Sequence, residues 1–228
     1  MNDNWKDSYN SKGAIYDAFS KYEDYKGKVW EAINKKVNFC NKKVFEMGCG
    51  TGKYTYLIAE TASKVYANDI SALMIHMAQE KCAMFNNIEY ITSSAESVSS
   101  VPDHSVDIIF SAWGYVSTPH IARKVEEEFD RILKDNGEII LVDNYFEGEF
   151  TEMREKYVDG TEMCLVSQYG YSLLEIVRTA FEFPSMDYAK EICGIIFGQK
   201  ALSFFDNKGE PTMEDSVAVL YKKKTNIE

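Results

Sequence analysis

Glu46-Met47-Gly48-Cys49-Gly50-Thr51-Gly52 follows directly on the short apolar run Lys43–Met47 and precedes a helical stretch from about Lys53 to Thr61. Glycines at this spacing let the backbone turn sharply from strand into helix. They also let main-chain amides approach a ligand, because no Cβ stands in the way. The next apolar run, Lys64–Asp69, reads as a second strand and ends on a carboxylate. An acid at that point can accept hydrogen bonds from both hydroxyls of a ribose, so the glycine loop and Asp69 together follow the logic of a nucleoside-cofactor site.

Outward from this unit the chain alternates helix and strand. Upstream, Ala14–Tyr22 and Lys28–Phe39 have helical spacing and concentrate the aromatics Tyr16, Phe19, Tyr22, Tyr25 and Trp30. Downstream, Ser71 is placed as the N-cap of a helix reaching Phe85. Strands follow at Ile88–Ile91 and Val106–Phe110, the second entered through the turn Pro102-Asp103-His104-Ser105. A helix over about Ile121–Leu133 is expected to stop at Asn136-Gly137, a C-cap signal, ahead of a strand at Glu138–Val142. Ile139-Ile140-Leu141-Val142 and Val106–Phe110 are apolar enough for parallel strands buried on both faces. Beyond Asn144, Phe150–Val158 reads as a helix ending at Asp159-Gly160, and Leu174–Phe183 alternates as a sixth strand. Ser185 opens a helix to about Phe205, and Ser216–Tyr221 supplies a seventh strand. The expected fold is α/β, a Rossmann-like, seven-stranded, mostly parallel sheet with helices on both faces. Such sheets bind ligands at the carboxyl ends of their strands.

The chain has 228 residues, 45% of them hydrophobic and 14% aromatic, enough to bury a sizeable core and to exclude wholesale disorder. With 25 basic and 36 acidic residues it carries a net charge of −11, which argues against a general nucleic-acid binder and an anionic membrane surface. No apolar run approaches the ~20 residues of a membrane helix, and the polar start Met1–Ser11 has no signal-peptide core. Cys40, Cys49, Cys82, Cys164 and Cys193 contain no C-x-x-C pair and read as reduced, cytoplasmic cysteines. Four prolines and no repeat leave no obvious linker. One domain is expected: an N-terminal lid over 1–40, a cofactor-binding core over 41–144, and substrate-side elements over 145–228.

The dinucleotide fingerprint is G-x-G-x-x-G, whereas this loop is G-x-G-x-G preceded by Glu46. A carboxylate beside the loop repels a pyrophosphate and welcomes a cationic amino-acid cofactor, which disfavours a nicotinamide-dependent oxidoreductase. A phosphate-binding P-loop is missed too, because Tyr54, not Ser or Thr, follows Lys53. Over roughly Lys43 to Val142 the chain resembles the class I S-adenosylmethionine-dependent methyltransferases, in particular the small-molecule group whose first motif is E/D-x-G-x-G-x-G. Pro102-Asp103-His104-Ser105-Val106-Asp107 and Arg131-Ile132-Leu133-Lys134-Asp135-Asn136-Gly137-Glu138 match the family's approaches to its fourth and fifth strands. Four elements in the right order make the likeness specific. The resemblance implies an antiparallel last strand and an N-terminal helical lid. It implies S-adenosyl-L-methionine as cofactor, leaving S-adenosyl-L-homocysteine as product.

It also implies a cofactor set of Glu46, Gly48, Cys49, Gly50, Thr51, Asp69, Ile70, Ala95, Glu96 and Ser111. The glycine loop lies against the methionine portion, Asp69 meets the ribose and Ile70 flanks the adenine. Ser94-Ala95-Glu96 stands where the family has Asp-Ala-Glu, so the Ala95 amide takes over the adenine edge. Trp113, Tyr115 and Tyr145, at the carboxyl ends of the fourth and fifth strands, are candidates to wall an acceptor pocket, with core packing as the alternative. Tyr16 and Tyr22 are candidates for the lid, or for ordinary helix-face packing. His120, near the same mouth, is the candidate general base, against a helix-start or surface role. His76 and His104 read as structural or exposed. Cys49 reads as a small residue filling a tight turn.

Asp143-Asn144 resembles part of a metal site in the metal-dependent O-methyltransferases. Ser111-Ala112-Trp113 replaces the further aspartate such a site needs, so no metal is expected. The absence of an Asn/Asp-Pro-Pro-Tyr motif counts against methylation of bases and planar amides. The sequence therefore points to methyl transfer onto a small-molecule O, N or S acceptor. A methyltransferase acting on RNA or protein, or a non-catalytic cofactor-binding module, stand as the alternatives.

Overall fold

The computed structural model of the protein describes residues 13–115, 119–153 and 161–225. A first helix, α1, covers 13–20, and a 3₁₀ turn at Tyr25–Gly27 leads into α2 (Lys28–Lys36). The central unit is β1 (Lys43–Met47), α3 (Lys53–Ala59), β2 (Lys64–Asp69), α4 (Ala72–Lys81) and β3 (Ile88–Thr92). Then come β4 (Val106–Ala112), α5 (Pro119–Ile132), β5 (Leu133–Asn144), α6 (Glu149–Met153) and α7 (Thr161–Tyr169). The chain closes with β6 (Ser172–Glu182), α8 (Met186–Phe197), α9 (Gln199–Lys208) and β7 (Thr212–Lys223). Thr118 and Asp159-Gly160 lie outside the described residues, as do residues 154–158 of the helix expected over Phe150–Val158.

The strands form one seven-stranded sheet in the order β3-β2-β1-β4-β5-β7-β6. β3, β2, β1, β4 and β5 are parallel, and β7 is antiparallel to both β5 and β6. Strand order reverses between β1 and β4, the position at which open parallel sheets bind ligands. Alternation along each strand divides the core. Val44, Val65, Ile108, Phe110, Ile140 and Val142 face α2, α3 and α4. Phe45, Met47, Ile109, Ile139 and Leu141 pack against Val125, Phe129 and Ile132 of α5 on the other side. A third cluster joins Phe19 of α1 to Phe150, Phe181, Phe183, Cys193 and Phe205. The Phe19 ring stacks on Phe181 at 4.7 Å, so the N-terminal helix is bolted to the last strands.

Several element ends shift by a few residues from expectation, and two boundaries differ for a visible reason. The helix expected to stop at Asn136-Gly137 ends at Ile132. Its last carbonyls are taken by the amides of His104 (to Arg131) and Ser105 (to Ile132), and Leu133 already pairs with Val106. Asn136, in the left-handed region at φ 61°, marks an irregularity inside β5. The single helix expected from Ser185 to Phe205 is broken by Gly198, whose φ 72°, ψ −152° no helix can continue through. The helical segment α7 had no counterpart in the sequence reading. Ser71 and Ser185 cap as expected, accepting from the amides of Met74 and Tyr188. No helix among the described residues is long and apolar enough to cross a membrane.

Candidate active site

The three glycines of the loop all have positive φ, at 68°, 52° and 84°, and each meets a different demand. A Cβ on Gly48 would stand 2.9 Å from the Cα of Gly114, where the end of β4 crosses the loop. Gly50 faces open space, so its requirement is conformational. A Cβ on Gly52 would meet Ala78 of α4 and Cys82 at its C-cap at 3.1–3.3 Å, so this glycine serves helix packing. The loop is braced from β2: Cys49 N donates to Asn68 O (2.9 Å) and Gly50 N donates to Asp69 Oδ2 (3.0 Å). The other Asp69 oxygen accepts from Ser71 N at 2.8 Å. A carboxylate has about four lone-pair sites, which leaves Asp69 capacity for a ribose. Burial raises its pKa against the lowering effect of these amides. Beside it, Ile70 presents an apolar side chain that is 45% exposed.

Glu46 is buried under the loop, where Thr55 Oγ1 donates to its Oε2 at 2.6 Å. Burial, with a smaller contribution from the Asp69 charge, pushes its pKa up to about 8, opposed by the Thr55 hydrogen bond. Cys49 is also buried, and desolvation drives its thiol well above the ordinary range, the opposite of an activated nucleophile.

A cavity of about 40 Å³ lies against the loop, lined by Glu46, Gly48–Thr51, Lys53, Tyr54, Ala112 and Trp113 and roofed by Tyr16, Ser20 and Glu23. Trp113 has φ 51°, a left-handed conformation that costs a bulky residue on the order of 1–3 kcal/mol. Its amide donates to Val142 O, and its indole Nε1 donates to Asn144 Oδ1 at 3.0 Å. These bonds to β5 hold the indole against the cavity.

The structure thus gathers Glu46, Gly48, Cys49, Gly50, Thr51, Trp113 and Tyr16 around one cavity, with Asp69 and Ile70 on the adjoining strand end. Other expected residues stand elsewhere. Ser111 is buried and gives its hydroxyl to Met47 O at 2.9 Å, strapping β4 to β1. Tyr115 points into the opposite core layer, donating to Glu126 Oε1, which also accepts from Tyr171. Tyr145 packs on Phe146 (4.0 Å between centroids) and Tyr22 on Phe183 (5.8 Å) and Tyr188 (5.3 Å). Ala95 packs at the edge of the α5 layer. Glu96 accepts from Ser94 Oγ at 3.1 Å and pairs with Lys124 at 3.5 Å. His120 is exposed in the first turn of α5. Lys53, Tyr54 and Glu23 belong to the cavity and were not singled out in the sequence. Lys53 directly follows the glycine motif, a position that marks it as a neighbour of any ligand on the loop. Among the described residues no group of three or more His, Cys, Asp or Glu could hold a metal ion.

Fold, glycine loop and the acid at the end of β2 are similar to those of the class I S-adenosylmethionine-dependent methyltransferases. Residues 45–141 match the family model described as a methyltransferase domain. Phosphoethanolamine N-methyltransferase 1 of Caenorhabditis elegans is 30% identical over 140 residues, 60% of this chain and 29% of that protein. Demethylmenaquinone methyltransferase of Tropheryma whipplei is 26% identical over 161 residues, 67% of this chain and 66% of that protein. A solved S-adenosylmethionine-dependent methyltransferase from Aquifex aeolicus superposes with a TM-score of 0.60 at 21% identity, covering 92% of this chain and 97% of that one. The cofactor is S-adenosyl-L-methionine. The residues present fit it, with a glycine cradle open above Gly50, a part-satisfied carboxylate at Asp69 and an exposed apolar side chain at Ile70.

Proposed function

We propose that the protein transfers a methyl group from S-adenosyl-L-methionine to a small-molecule O, N or S acceptor without a metal, by alignment and proximity. The observation that carries this reading is the cavity bounded by the glycine loop on one side and the strained, doubly hydrogen-bonded Trp113 on the other. The relatives' names, a phosphoethanolamine and a demethylmenaquinone methyltransferase, both specify small acceptors. The chain's charge of −11 disfavours an RNA acceptor, whose binding needs phosphate neutralisation.

When bound, the cofactor supplies a methyl group already activated on a sulfonium. The chain's residues have to hold the partners in line, and alignment alone can lower the barrier by ~7–11 kcal/mol. Gly48–Thr51 position the amino-acid end, Asp69 accepts from the ribose, and Ile70 flanks the adenine. Trp113 and Tyr54 exclude water on the acceptor side. The metal-independent reading is supported at Asp143-Asn144, where Asn144 Oδ1 is taken by Trp113 and Asp143 Oδ1 by the Asn144 amide. His120, on the exposed first turn of α5, takes a proton from an acceptor that arrives protonated; a thiolate or tertiary amine needs no base. Radiolabelled methyl transfer to a panel of amines, thiols, phenols and carboxylic acids, with and without chelator, tests the proposal. Transfer to RNA or protein and to none of the panel would overturn it.

A further inference from the structure

We propose that Lys53 is the counter-charge for the carboxylate at the amino-acid end of the cofactor, and that Glu23 of the lid holds this ammonium until the cofactor claims it. The inference rests on the cofactor reading above and concerns residues which that reading leaves unassigned.

Lys53 is the first residue of α3, turned toward the loop by the left-handed Gly52 before it. Its Nζ donates to three acceptors, all on the N-terminal segment: Ser20 O (3.2 Å), Glu23 O (3.1 Å) and Glu23 Oε2 (3.3 Å). The ammonium lies 5.5 Å from the centroid of Tyr54 and 5.9 Å from that of Trp113. Among the described residues that line the cavity, Lys53 is the only cation, and Glu23 and Glu46 are its two acids. Burial pushes the Glu46 carboxyl up to about 8, and Glu23, paired with Lys53 at 3.3 Å, is the acid with which an incoming carboxylate must compete. Without a cation to meet it, a carboxylate entering beside Glu23 is repelled, and Lys53 supplies that charge.

Space gives an independent argument for exchange. Small-molecule sites occupy ~300–1,000 Å³, and this cavity measures about 40 Å³. The residues that close it on one side are Tyr16, Ser20 and Glu23, so the lid segment has to withdraw to admit a nucleoside amino acid. Withdrawal strips Lys53 of all three lid acceptors, and the cofactor's carboxylate replaces them. A second tie, from the Thr51 hydroxyl and Lys81 Nζ (2.8 Å) to the Asp17 carboxylate, holds the same helix and must yield with it. Loop occupancy and lid position are thereby coupled through one side chain.

Titration calorimetry with S-adenosylhomocysteine and 5′-methylthioadenosine, a nucleoside thioether without the amino-acid end, tests the exchange. Lys53→Met is expected to weaken S-adenosylhomocysteine roughly tenfold or more, the scale of a charge-assisted hydrogen bond, and to leave methylthioadenosine unchanged. Lys53→Arg should restore most of the loss. Glu23→Gln should tighten S-adenosylhomocysteine, because the competitor for Lys53 has lost its charge. Equal weakening of both compounds in Lys53→Met, no weakening of either, or weaker binding in Glu23→Gln would overturn the proposal. A wild-type protein that binds neither compound would overturn the cofactor reading itself, and this inference with it.

Discussion

Replacing Glu46 by glutamine should remove most of the stability the protein loses as pH rises towards 8. Glu46 has a folded-state pKa of about 8 against an ordinary 4.5, chiefly through burial. A carboxyl raised in this way binds its proton more tightly folded than unfolded. Folding stability therefore falls as pH rises from about 4.5 to about 8 and levels off above. The interval, 8 minus 4.5, at ~1.4 kcal/mol per pH unit amounts to about 5 kcal/mol at full ionisation. That is comparable with the whole stability of a small domain, ~5–15 kcal/mol. Glutamine keeps the shape of the protonated acid and a carbonyl for the Thr55 hydroxyl, so the variants should be similarly stable near pH 5. Urea unfolding followed by circular dichroism, from pH 5 to 9, should show the gap widening in favour of the variant by ~1.4 kcal/mol per unit up to about pH 8 and levelling off above it. Asp17, Asp107 and Glu128, whose pKa values are lowered, respond at acid pH and are common to both proteins. A difference that stays constant over this range would refute the assignment of Glu46 as a buried, protonated acid.

Gly48→Ala forces a Cβ to 2.9 Å from Gly114 Cα at a φ of 68°, and should cost ~1–3 kcal/mol in urea unfolding while weakening S-adenosylhomocysteine. Asp69→Ala removes the acceptor of the Gly50 and Ser71 amides; calorimetry should show S-adenosylhomocysteine affinity falling at least tenfold. Phe181→Ala empties a fully buried site between Phe19 and Phe150 and should lower stability by ~3–5 kcal/mol in urea. His120→Ala should lower kcat while leaving S-adenosylhomocysteine affinity unchanged if the acceptor carries a proton; an unaltered kcat removes His120 as the base.

The parallel half of the sheet and the glycine loop are legible in the sequence because their signals are local. Apolar runs such as Ile139–Val142 fix buried strands, and Gly48–Gly52 with Asp69 fix a cradle, independently of distant contacts. Segment ends are less legible where tertiary partners decide them. The end of α5 is set by the amides of His104 and Ser105 reaching its last carbonyls, a contact no helix-stop signal encodes. Gly198 breaks a helix within an apolar run that reads as continuous. Tyr115 stands two residues from Trp113, yet a tie to Glu126 takes it into the opposite layer. The contacts of the N-terminal segment, Asp17 with Thr51 and Glu23 with Lys53, join residues far apart in sequence whose pairing only the folded chain reveals.

The central claim is that the loop from Gly48 to Gly52 and Asp69 hold an adenosyl amino-acid cofactor. Calorimetric titration of folded, ligand-free protein with S-adenosylmethionine and S-adenosylhomocysteine, and with NAD as control, tests it most directly. Micromolar binding of both adenosyl compounds with none of NAD is the predicted result. Binding of NAD, or of none of the three, would contradict the account.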